Sequence, residues 1–340
     1  MGGDNRPARA GRSTFVRRGP NASGPLRLVA TLLLGPIGAC STVAAPARPR
    51  PSLPLPSHIV DQYELPGPVN EDYLVQLDKS GRISRGRLTC GDEKPEFHVI
   101  LPAVTPAPVL LCLPILAGGE RLMWHIADHM AERGFAVVWG KRVASAMRSH
   151  QKVDDLEQLI RRSIVHNRAV LTWARRQAWA DPGPASILGI STGGILGGTL
   201  LALEPDLGGG VLILAGGDLP DLLMNSTESR IEEWCHNRIQ TDDLDRLRLR
   251  SSMRRGLLSD PARTGPYVPT DKVLLVNADL DTVVPPRNQE LLWEALGRPE
   301  RLRMHLFSHY SSILGLQTVL GRADEFLKSR LAAPARPPVR

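Results

Sequence analysis

The rhythm of apolar and polar positions changes along this chain of 340 residues. Three β-type segments, at 73–78, 85–90 and 97–101, come first and predict antiparallel strands. From Pro108 onward, apolar runs alternate with amphipathic stretches. The runs predict buried strands at 109–116, 135–139, 211–214, 272–278 and 302–307, with another beginning at Ser186, and the stretches predict helices at 121–133, 154–178, 195–203 and 287–296. This interleaving predicts an α/β fold with a mostly parallel central sheet and helices on both faces.

One interval, 218–271, breaks the alternation because it carries many charges and has poor periodicity. An insertion at this point of an α/β sheet commonly folds as helices over the mouth of a site. Five apolar residues are candidates for its underside: Met224, Ile231, Trp234, Leu244 and Leu257. A charged helical hairpin without contact to a substrate fits the same composition, and the sequence leaves both interpretations open.

The first 39 residues have the layout of a bacterial targeting signal. Six arginines and one aspartate form a basic region, an apolar run follows at 28–34, and small residues precede Cys40. The pattern resembles a lipobox and predicts a lipoprotein signal peptide, with Cys40 acylated by chains such as palmitate. Ser41 then favours an outer-membrane location in the cell envelope. Secretion after cleavage at Ala39 or Ala45, and a cytoplasmic chain, are the alternatives.

Composition divides the rest of the chain into three parts. Residues 40–57 are rich in Pro, Ala, Arg and Ser, which is typical of an extended tether. Residues 58–330 hold the alternating strands and helices and predict one folded domain. Residues 331–340 contain three prolines and predict a flexible tail.

Charge and aromatic content argue against a nucleic-acid partner. The net charge is +7, but residues 1–39 contribute +5, so the remainder carries only about +2. Aromatic residues make up 4% of the chain, and no basic stripe with interleaved aromatics occurs. Platforms for single-stranded nucleic acid combine both features, so we expect small-molecule chemistry instead.

Cysteine spacing gives no sign of a metal or a cofactor. Cys90, Cys112 and Cys235 form no CxxC pair, and no metal-ligand spacing is visible. Cys112 lies inside an apolar run, which indicates a small core residue. A Cys90–Cys235 disulfide is allowed in an oxidising compartment, and the sequence does not decide it.

The segment around Ser191 is the strongest chemical signal. An apolar β-type run ends in Gly189-Ile190-Ser191-Thr192-Gly193, and a helical stretch of small residues follows at once. Small flanking residues permit the tight strand-to-helix turn of a nucleophile elbow, and the helix start directs amide groups toward a developing oxyanion. The sequence therefore predicts a nucleophilic Ser191, with an ordinary βα turn as the alternative.

A second motif extends this prediction to a family. The segment 281–285, Asp-Thr-Val-Val-Pro, resembles the acid turn of the α/β-hydrolase superfamily, which follows the penultimate strand. The resemblance covers about residues 108–327, and the insertion resembles that of dienelactone-hydrolase-like members. It implies an α/β-hydrolase fold with a cap-like helical insertion after the sixth strand. It also implies Asp281 as the catalytic acid, whereas Asp218, after the run at 211–214, is the competing acid.

The resemblance also implies a base and an oxyanion hole. It places the histidine in the loop after the last strand, where His309 fits, and His305 competes from inside the predicted strand. One oxyanion donor is expected to be the amide of Thr192. The other is expected after the strand at 109, where Leu116 is nominated and Ile115 is next.

Family members of this kind hydrolyse esters, thioesters, amides or peptides without a cofactor. The resemblance thus implies a serine hydrolase that cleaves carboxylic esters through an acyl-enzyme, with a small-molecule ester as substrate and a bacterial membrane as the site of its lipid anchor. A serine peptidase or amidase on the same fold is one alternative. A non-catalytic binding lipoprotein of the envelope is the other. Fold-level analogy does not choose among them.

Overall fold

The computed structural model describes residues 40–46, 53–116, 119–141, 143 and 147–332. The basic region and apolar run of the predicted signal peptide therefore lie outside the described residues, as do 333–340 of the predicted tail. Leu331, also assigned to that tail, ends a helix instead.

A single sheet of ten strands organises the described part of the chain. In chain order the strands are β1 (Cys40–Val43), β2 (Val69–Gln76), β3 (Ile83–Cys90), β4 (Glu96–Ile100), β5 (Val109–Leu113), β6 (Ala136–Gly140), β7 (Ser186–Ile190), β8 (Gly209–Ile213), β9 (Val273–Ala278) and β10 (Glu300–Met304). Their order in the sheet is β1-β10-β9-β8-β7-β5-β6-β4-β3-β2. The six adjacent strands β6, β5, β7, β8, β9 and β10 run parallel, and antiparallel strands flank them on both sides.

Helices cover both faces, as the interleaved pattern predicted. They are α1 (Ser57–Val60), α2 (Glu120–Glu132), α3 (Val153–Ala174), α4 (Thr192–Leu203), α5 (Leu219–Asn225), α6 (Ser229–Thr241), α7 (Arg246–Gly256), α8 (Pro261–Thr264), α9 (Pro286–Ala295) and α10 (Leu316–Leu331). Apolar residues of α3, α4 and α9 pack on one face, and those of α2 and α10 pack on the other. Alternate residues of β5 enter the two clusters, which explains why this strand is apolar throughout.

The order of the strands creates a crevice at one point. After β5 the chain adds β6 on one side of it, then crosses back through α3 to add β7 on the other side. Ligands in open α/β sheets bind at such a switch point, outside the carboxyl ends of the strands. The loop after β5 and the turn after β7 both lie there.

The insertion at 218–271 forms helices α5 to α8, which share a hydrophobic cluster with α3 and the turn at 283–284. Of the five apolar residues predicted for its underside, four are buried and Leu244 is partly buried. The buried Glu157 of α3 accepts hydrogen bonds from the amides of Leu258 and Ser259, at 3.0 and 3.1 Å, and so fastens the insertion to the main domain. The insertion follows β8, the eighth strand along the chain rather than the sixth.

The predicted tether at 40–57 is partly wrong. Cys40–Val43 form β1, which pairs antiparallel with β10 and places Cys40 opposite Met304. The edge of β10 would otherwise present unpaired backbone groups, and β1 satisfies them. Four residues are too few to show the alternation of a strand. The segment was therefore predicted to be a tether from the Pro- and Ala-rich composition around it. Ser57, at the end of the same interval, begins α1.

Candidate active site

Ser191 occupies a strained turn between β7 and α4. Its backbone has φ 53° and ψ −118°, a combination that a residue with a side chain rarely adopts. Its amide donates a hydrogen bond to the carbonyl of Ile213 at 2.8 Å, which ties the turn to β8. Helix α4 begins at Thr192 rather than at the predicted 195. Strand, strained serine and helix thus follow one another without an intervening residue.

Two glycines make this turn possible because they have no side chain. A Cβ atom on Gly193 would lie 2.0 Å from the carbonyl oxygen of Leu113, at the end of β5. A Cβ atom on Gly189 would lie 2.3 Å from the carbonyl oxygen of Gly193. Real Cβ contacts are never this short, so the turn packs directly on backbone at both positions. The motif predicted from the sequence therefore has a steric basis in this fold.

Asp281 and His309 share a hydrogen bond beside this turn. Asp281 Oδ2 and His309 Nδ1 are 2.8 Å apart. The other carboxylate oxygen, Oδ1, accepts the amides of Val283 and Val284 at 2.9 and 2.8 Å. The Asp281 side chain is fully buried, and these three partners compensate for its removal from water. If Nδ1 carries the proton, Nε2 of His309 is left as the proton acceptor.

A cavity of about 380 Å³ joins these residues. Ser191, Thr192 and His309 lie on its wall, and Asp281 lies behind His309. The rest of the lining is dominated by aliphatic side chains from the sheet edge, the insertion and α10: Ile115, Leu116, Leu122, Ile190, Ile195, Ile213, Leu214, Leu222, Ile231, Val283, Val284, Met304, Ile313, Leu316 and Val319. Among the described residues no lysine or arginine lines it.

One carboxylate reaches the cavity wall from the insertion. Glu228 caps α6, where its Oε2 accepts the amides of Arg230 and Ile231 at 2.8 and 3.1 Å. The amides at the start of that helix therefore stabilise the negative charge of Glu228. Because Leu222, Glu228 and Ile231 line the cavity, the insertion forms part of the cavity wall, which favours the first of its two predicted roles.

The predicted oxyanion donors meet at the same place. Thr192 is the first residue of α4, so its amide has no partner one turn back within the helix. Leu116 and Ile115 follow β5, which ends at Leu113 rather than at the predicted 116. All three residues line the cavity that holds Ser191. The structure brings them together, and which amide is the second donor stays a prediction.

The competing acid, Asp218, has other partners. It caps α5 from a left-handed conformation with φ 54°, and its Oδ1 accepts the amide of Asp221 at 3.3 Å. Its Oδ2 faces Arg250 and Arg254 of α7, at 4.0 and 3.9 Å. Asp218 therefore stabilises the first turn of the insertion, and the histidine bonds to Asp281 instead.

The competing histidine, His305, belongs to a second group of the same three residue types. β10 ends at Met304, so His305 lies just after the strand and not inside it as predicted. Its Nδ1 lies 2.8 Å from Asp279 Oδ2, and its Nε2 lies 2.7 Å from Ser41 Oγ of β1. Arg303 also donates to Asp279, at 2.9 Å. We name Ser41, His305 and Asp279 the edge group, and Ser191, His309 and Asp281 the elbow group.

The cysteines are free thiols in this structure. Cys90 and Cys235 donate to the separate carbonyls of Gly67 and Leu223, so the disulfide left open by the sequence is not formed. Burial raises the pKa of the Cys112 thiol to about 12, and this core residue is a poor nucleophile. Within the described ranges, no three His, Cys, Asp or Glu side chains are grouped to hold a metal ion. No helix there is long and apolar enough to cross a membrane.

A second cavity, of about 440 Å³, was not predicted from the sequence. It shares Ile115, Leu116, Thr192, Ile195, Leu222 and Ile231 with the first cavity. Its far wall includes Asn167, a buried polar residue of α3. One feature of the sequence could have indicated this cavity. Asn167 lies among the apolar residues of an amphipathic helix, where a buried polar side chain is uncommon.

Comparison with known proteins identifies the fold. No family model matches the chain, and no curated protein is similar to it in sequence. Solved structures are similar, among them an acetyl xylan esterase from Paenibacillus sp. R4, with a TM-score of 0.62 and 14% identity over 80% of this chain and 91% of that one. The α/β hydrolase GrgF from Penicillium sp. sh18 matches with a TM-score of 0.54 and 16% identity, over 74% and 99%.

A third neighbour is an acylaminoacyl peptidase from Pyrococcus horikoshii, with a TM-score of 0.55 and 16% identity. The match covers 74% of this chain but only 42% of the peptidase, so the likeness is confined to part of that protein. Identities this low show the architecture and leave the chemistry to the site. The chain has the α/β-hydrolase fold.

Proposed function

We propose that this protein is a serine hydrolase that cleaves carboxylic esters. The observation that carries the proposal is the elbow group: a strained serine and a histidine bonded to a buried aspartate share one apolar cavity. A serine hydroxyl is a weak nucleophile until an imidazole removes its proton, and an acid must orient that imidazole. The edge group has the same histidine–aspartate bond, and its serine also bonds to its histidine, but it has neither the strained turn nor a place on the wall of this cavity.

The proposed reaction gives each member of the elbow group one role. Ser191 Oγ attacks the ester carbonyl, and its proton passes to His309 Nε2 while Asp281 holds the imidazole through Nδ1. The amides of Thr192 and Leu116 stabilise the negative charge on the carbonyl oxygen. His309 then returns the proton to the departing alcohol. Water, activated by the same histidine, attacks the acyl-enzyme and releases the acid, which restores the Ser191 hydroxyl.

The lining of the cavity supports an ester of an uncharged, apolar substrate. Aliphatic side chains dominate the wall, and the carboxylate of Glu228 is engaged by α6. Apolar sites with few polar groups select substrates by shape and hydrophobic burial. A serine peptidase or amidase is the alternative. The structural likeness to an acylaminoacyl peptidase is the reason to test it.

Turnover of matched substrates tests the proposal. We expect the wild type to cleave p-nitrophenyl alkanoates and to leave aminoacyl p-nitroanilides intact, and Ser191→Ala to cleave neither. Faster turnover of the anilides would make the protein an amidase. No turnover above that of Ser191→Ala with either class would leave a binding protein.

We also propose that Cys40 carries a lipid anchor in the bacterial envelope. The basic region, the apolar run at 28–34 and the small residues before Cys40 support it. Because β1 begins at Cys40, such an anchor would join the folded domain directly and not through a spacer. Mass spectrometry of membrane-fraction protein is expected to find a diacylglyceryl Cys40 as the first residue. An unmodified chain that starts elsewhere would refute it.

A further inference from the structure

Five exposed apolar side chains lie in two adjoining loops at the carboxyl edge of the sheet. The loops follow β9 and β10, and the amide of Leu280 in the first donates to the carbonyl of Phe307 in the second at 3.0 Å. Single exposed leucines are ordinary on a protein surface, whereas a group of them marks an interaction site. We name these side chains, which are between 56% and 80% exposed, the rim patch: Leu280, Leu306, Tyr310, Ile313 and Leu314.

The rim patch borders the opening of the first cavity. Tyr310 and Ile313 line that cavity although both are exposed, so they belong to its wall and to the outer surface at once. The ring of Tyr310 lies edge-on to that of His309, with 5.6 Å between the ring centroids. A partner that covers the rim patch would therefore lie at the mouth of the candidate active site.

The chain around the rim patch is free of charge over a long stretch. Between Arg303 and Arg322 the sequence contains no Lys, Arg, Asp or Glu. Asp279, beside Leu280, is paired with Arg303 at 2.9 Å, which balances the charge at the border of the patch. Such a surface suits an apolar partner, and a tyrosine with its apolar ring and polar hydroxyl is typical of the boundary between a membrane and water.

The position of Cys40 indicates that this partner is a membrane. β1 pairs Cys40 with Met304, the last residue of β10, and Ser41 Oγ lies 2.7 Å from Nε2 of His305. Leu306 follows Met304 by two residues, so its Cα atom lies within about 13 Å of that of Cys40. A lipid attached to Cys40 would enter a bilayer beside the rim patch, and the same bilayer would reach both.

We propose that the rim patch is a membrane-docking surface that holds the mouth of the first cavity against a phospholipid bilayer. The apolar side chains enter the boundary between headgroups and acyl chains, where binding strength grows with the apolar area that is buried. For the proposed ester hydrolysis, on which this consequence rests, docking brings amphiphilic esters to Ser191 from the lipid phase.

Fluorescent labels show which face of the protein meets the membrane. Cys40→Ser in the full chain removes the proposed anchor and the one thiol of the described residues that is not buried. In that background, Leu306→Cys and Leu314→Cys carry a nitrobenzoxadiazole label, and uncharged phosphatidylcholine vesicles with nitroxide lipids serve as the membrane. Val104→Cys is the matched control, because Val104 is 77% exposed and precedes β5, at the opposite edge of the sheet.

We expect vesicles to quench the labels at 306 and 314 and not the label at 104. Leu306→Ser and Leu314→Ser should each weaken cosedimentation with vesicles about 10-fold, because each removes a leucine from the membrane contact, and Val104→Ser should bind like the parent chain. Equal quenching at all three positions, or no binding to vesicles, would overturn the inference. Labels at 306 and 314 that become buried with rising protein concentration, without vesicles, would assign the patch to a second copy of the chain.

Turnover tests the delivery of substrate separately. With an ester dissolved in the vesicles at limiting lipid, Leu314→Ser should lose about 10-fold in rate, in line with its weaker binding, and keep the wild-type rate on soluble p-nitrophenyl acetate. Equal rates of the two chains on the vesicle-borne ester would refute delivery from the lipid phase. Absence of all ester turnover would reject the proposed hydrolase activity, while the labels would still decide whether the rim patch docks.

Discussion

The molecule contains two groups in which a serine, a histidine and an aspartate stand together, and only one of them has the features of a site. The histidine Nδ1 to aspartate Oδ2 distance is 2.8 Å in both. In the edge group the serine is also in place, with Ser41 Oγ 2.7 Å from His305 Nε2. Judged by hydrogen bonds alone, the edge group is the more complete of the two, because among the described residues Ser191 Oγ makes no hydrogen bond to His309.

Their surroundings separate them. The His305 side chain is 38% exposed and that of Asp279 26%, against 12% for His309 and none for Asp281. Ser41 lies in an exposed edge strand, whereas Ser191 is held at φ 53° on the wall of a cavity. The edge group fastens β1 to the sheet. Hydrogen bonds alone therefore do not distinguish the two groups, whereas backbone strain, burial and space for a ligand do.

Replacing the histidines should give the largest contrast. His309→Ala removes the proposed general base and is expected to lower kcat by about 10⁴–10⁶-fold, since members of such a group act as a unit. His305→Ala removes bonds at the sheet edge and should change kcat by less than about tenfold. Steady-state kinetics on one p-nitrophenyl ester measures both. Equal losses would erase the distinction between the two groups.

The aspartates provide the next contrast. Asp281→Asn should keep the shape but favour the wrong imidazole tautomer, at a cost of about 10⁴ in kcat. Asp279→Asn and Asp218→Asn should retain most activity, because neither carboxylate contacts His309. Circular dichroism confirms that each variant is folded. A severe loss in Asp218→Asn together with an active Asp281→Asn would move the acid to the start of the insertion.

The elbow turn should also be less tolerant of added volume than the rest of the fold. Gly193→Ala places a methyl group against the Leu113 carbonyl and is expected to lower the free energy of unfolding by about 1–3 kcal/mol. Gly321 of α10 has nothing within 4 Å of its added Cβ, so Gly321→Ala should raise it by about 0.4–1 kcal/mol. Urea unfolding compares the two. A neutral Gly193→Ala would show that the turn is not tightly packed.

The smallest effect concerns the pH dependence of the edge group. Burial raises the pKa of the Asp279 carboxyl, but hydrogen bonds from His305 and Arg303 outweigh it and hold that pKa below the ordinary value. Such a group stabilises the fold fully above the unfolded pKa, about 3.9, and loses this contribution as the pH falls through the folded value. Asp279→Asn should therefore cost about 0.2–1 kcal/mol at neutral pH. The difference from wild type should shrink below about pH 4.

Urea unfolding at a series of pH values measures this difference. Comparison with Asp72→Asn, at an exposed ion pair with Arg87, controls for the general loss of a surface charge. A difference that grows toward acid pH would contradict a lowered Asp279 pKa.

Features encoded in short segments were predictable from the sequence. The strand, serine and helix around Ser191 depend on neighbouring residues, and the turn at 281–285 directs its own amides at Asp281. The mostly parallel sheet with helices on both faces followed from the alternation of apolar runs and was confirmed. Local geometry can be predicted from the sequence when the residues that create it are adjacent in the chain.

Features that depend on distant packing were not predictable. Cys40–Val43 became a strand only because β10, some 260 residues away, presents a free edge. The apolar run at 302–307 could not show that pairing stops at Met304, so His305 was placed in the strand. The second cavity lies between α3, α4 and the insertion. The hydrophobic periodicity of a sequence predicts single helices and strands, and it does not predict cavities between packed elements.

The central claim is that the elbow group alone is reactive, and labelling by a fluorophosphonate tests it most directly. The probe modifies a serine that a neighbouring base activates, without any assumption about the substrate. Wild type and Ser41→Ala are expected to label equally, and Ser191→Ala not at all, with the modified peptide containing Ser191. Labelling that persists in Ser191→Ala or disappears in Ser41→Ala would contradict the account.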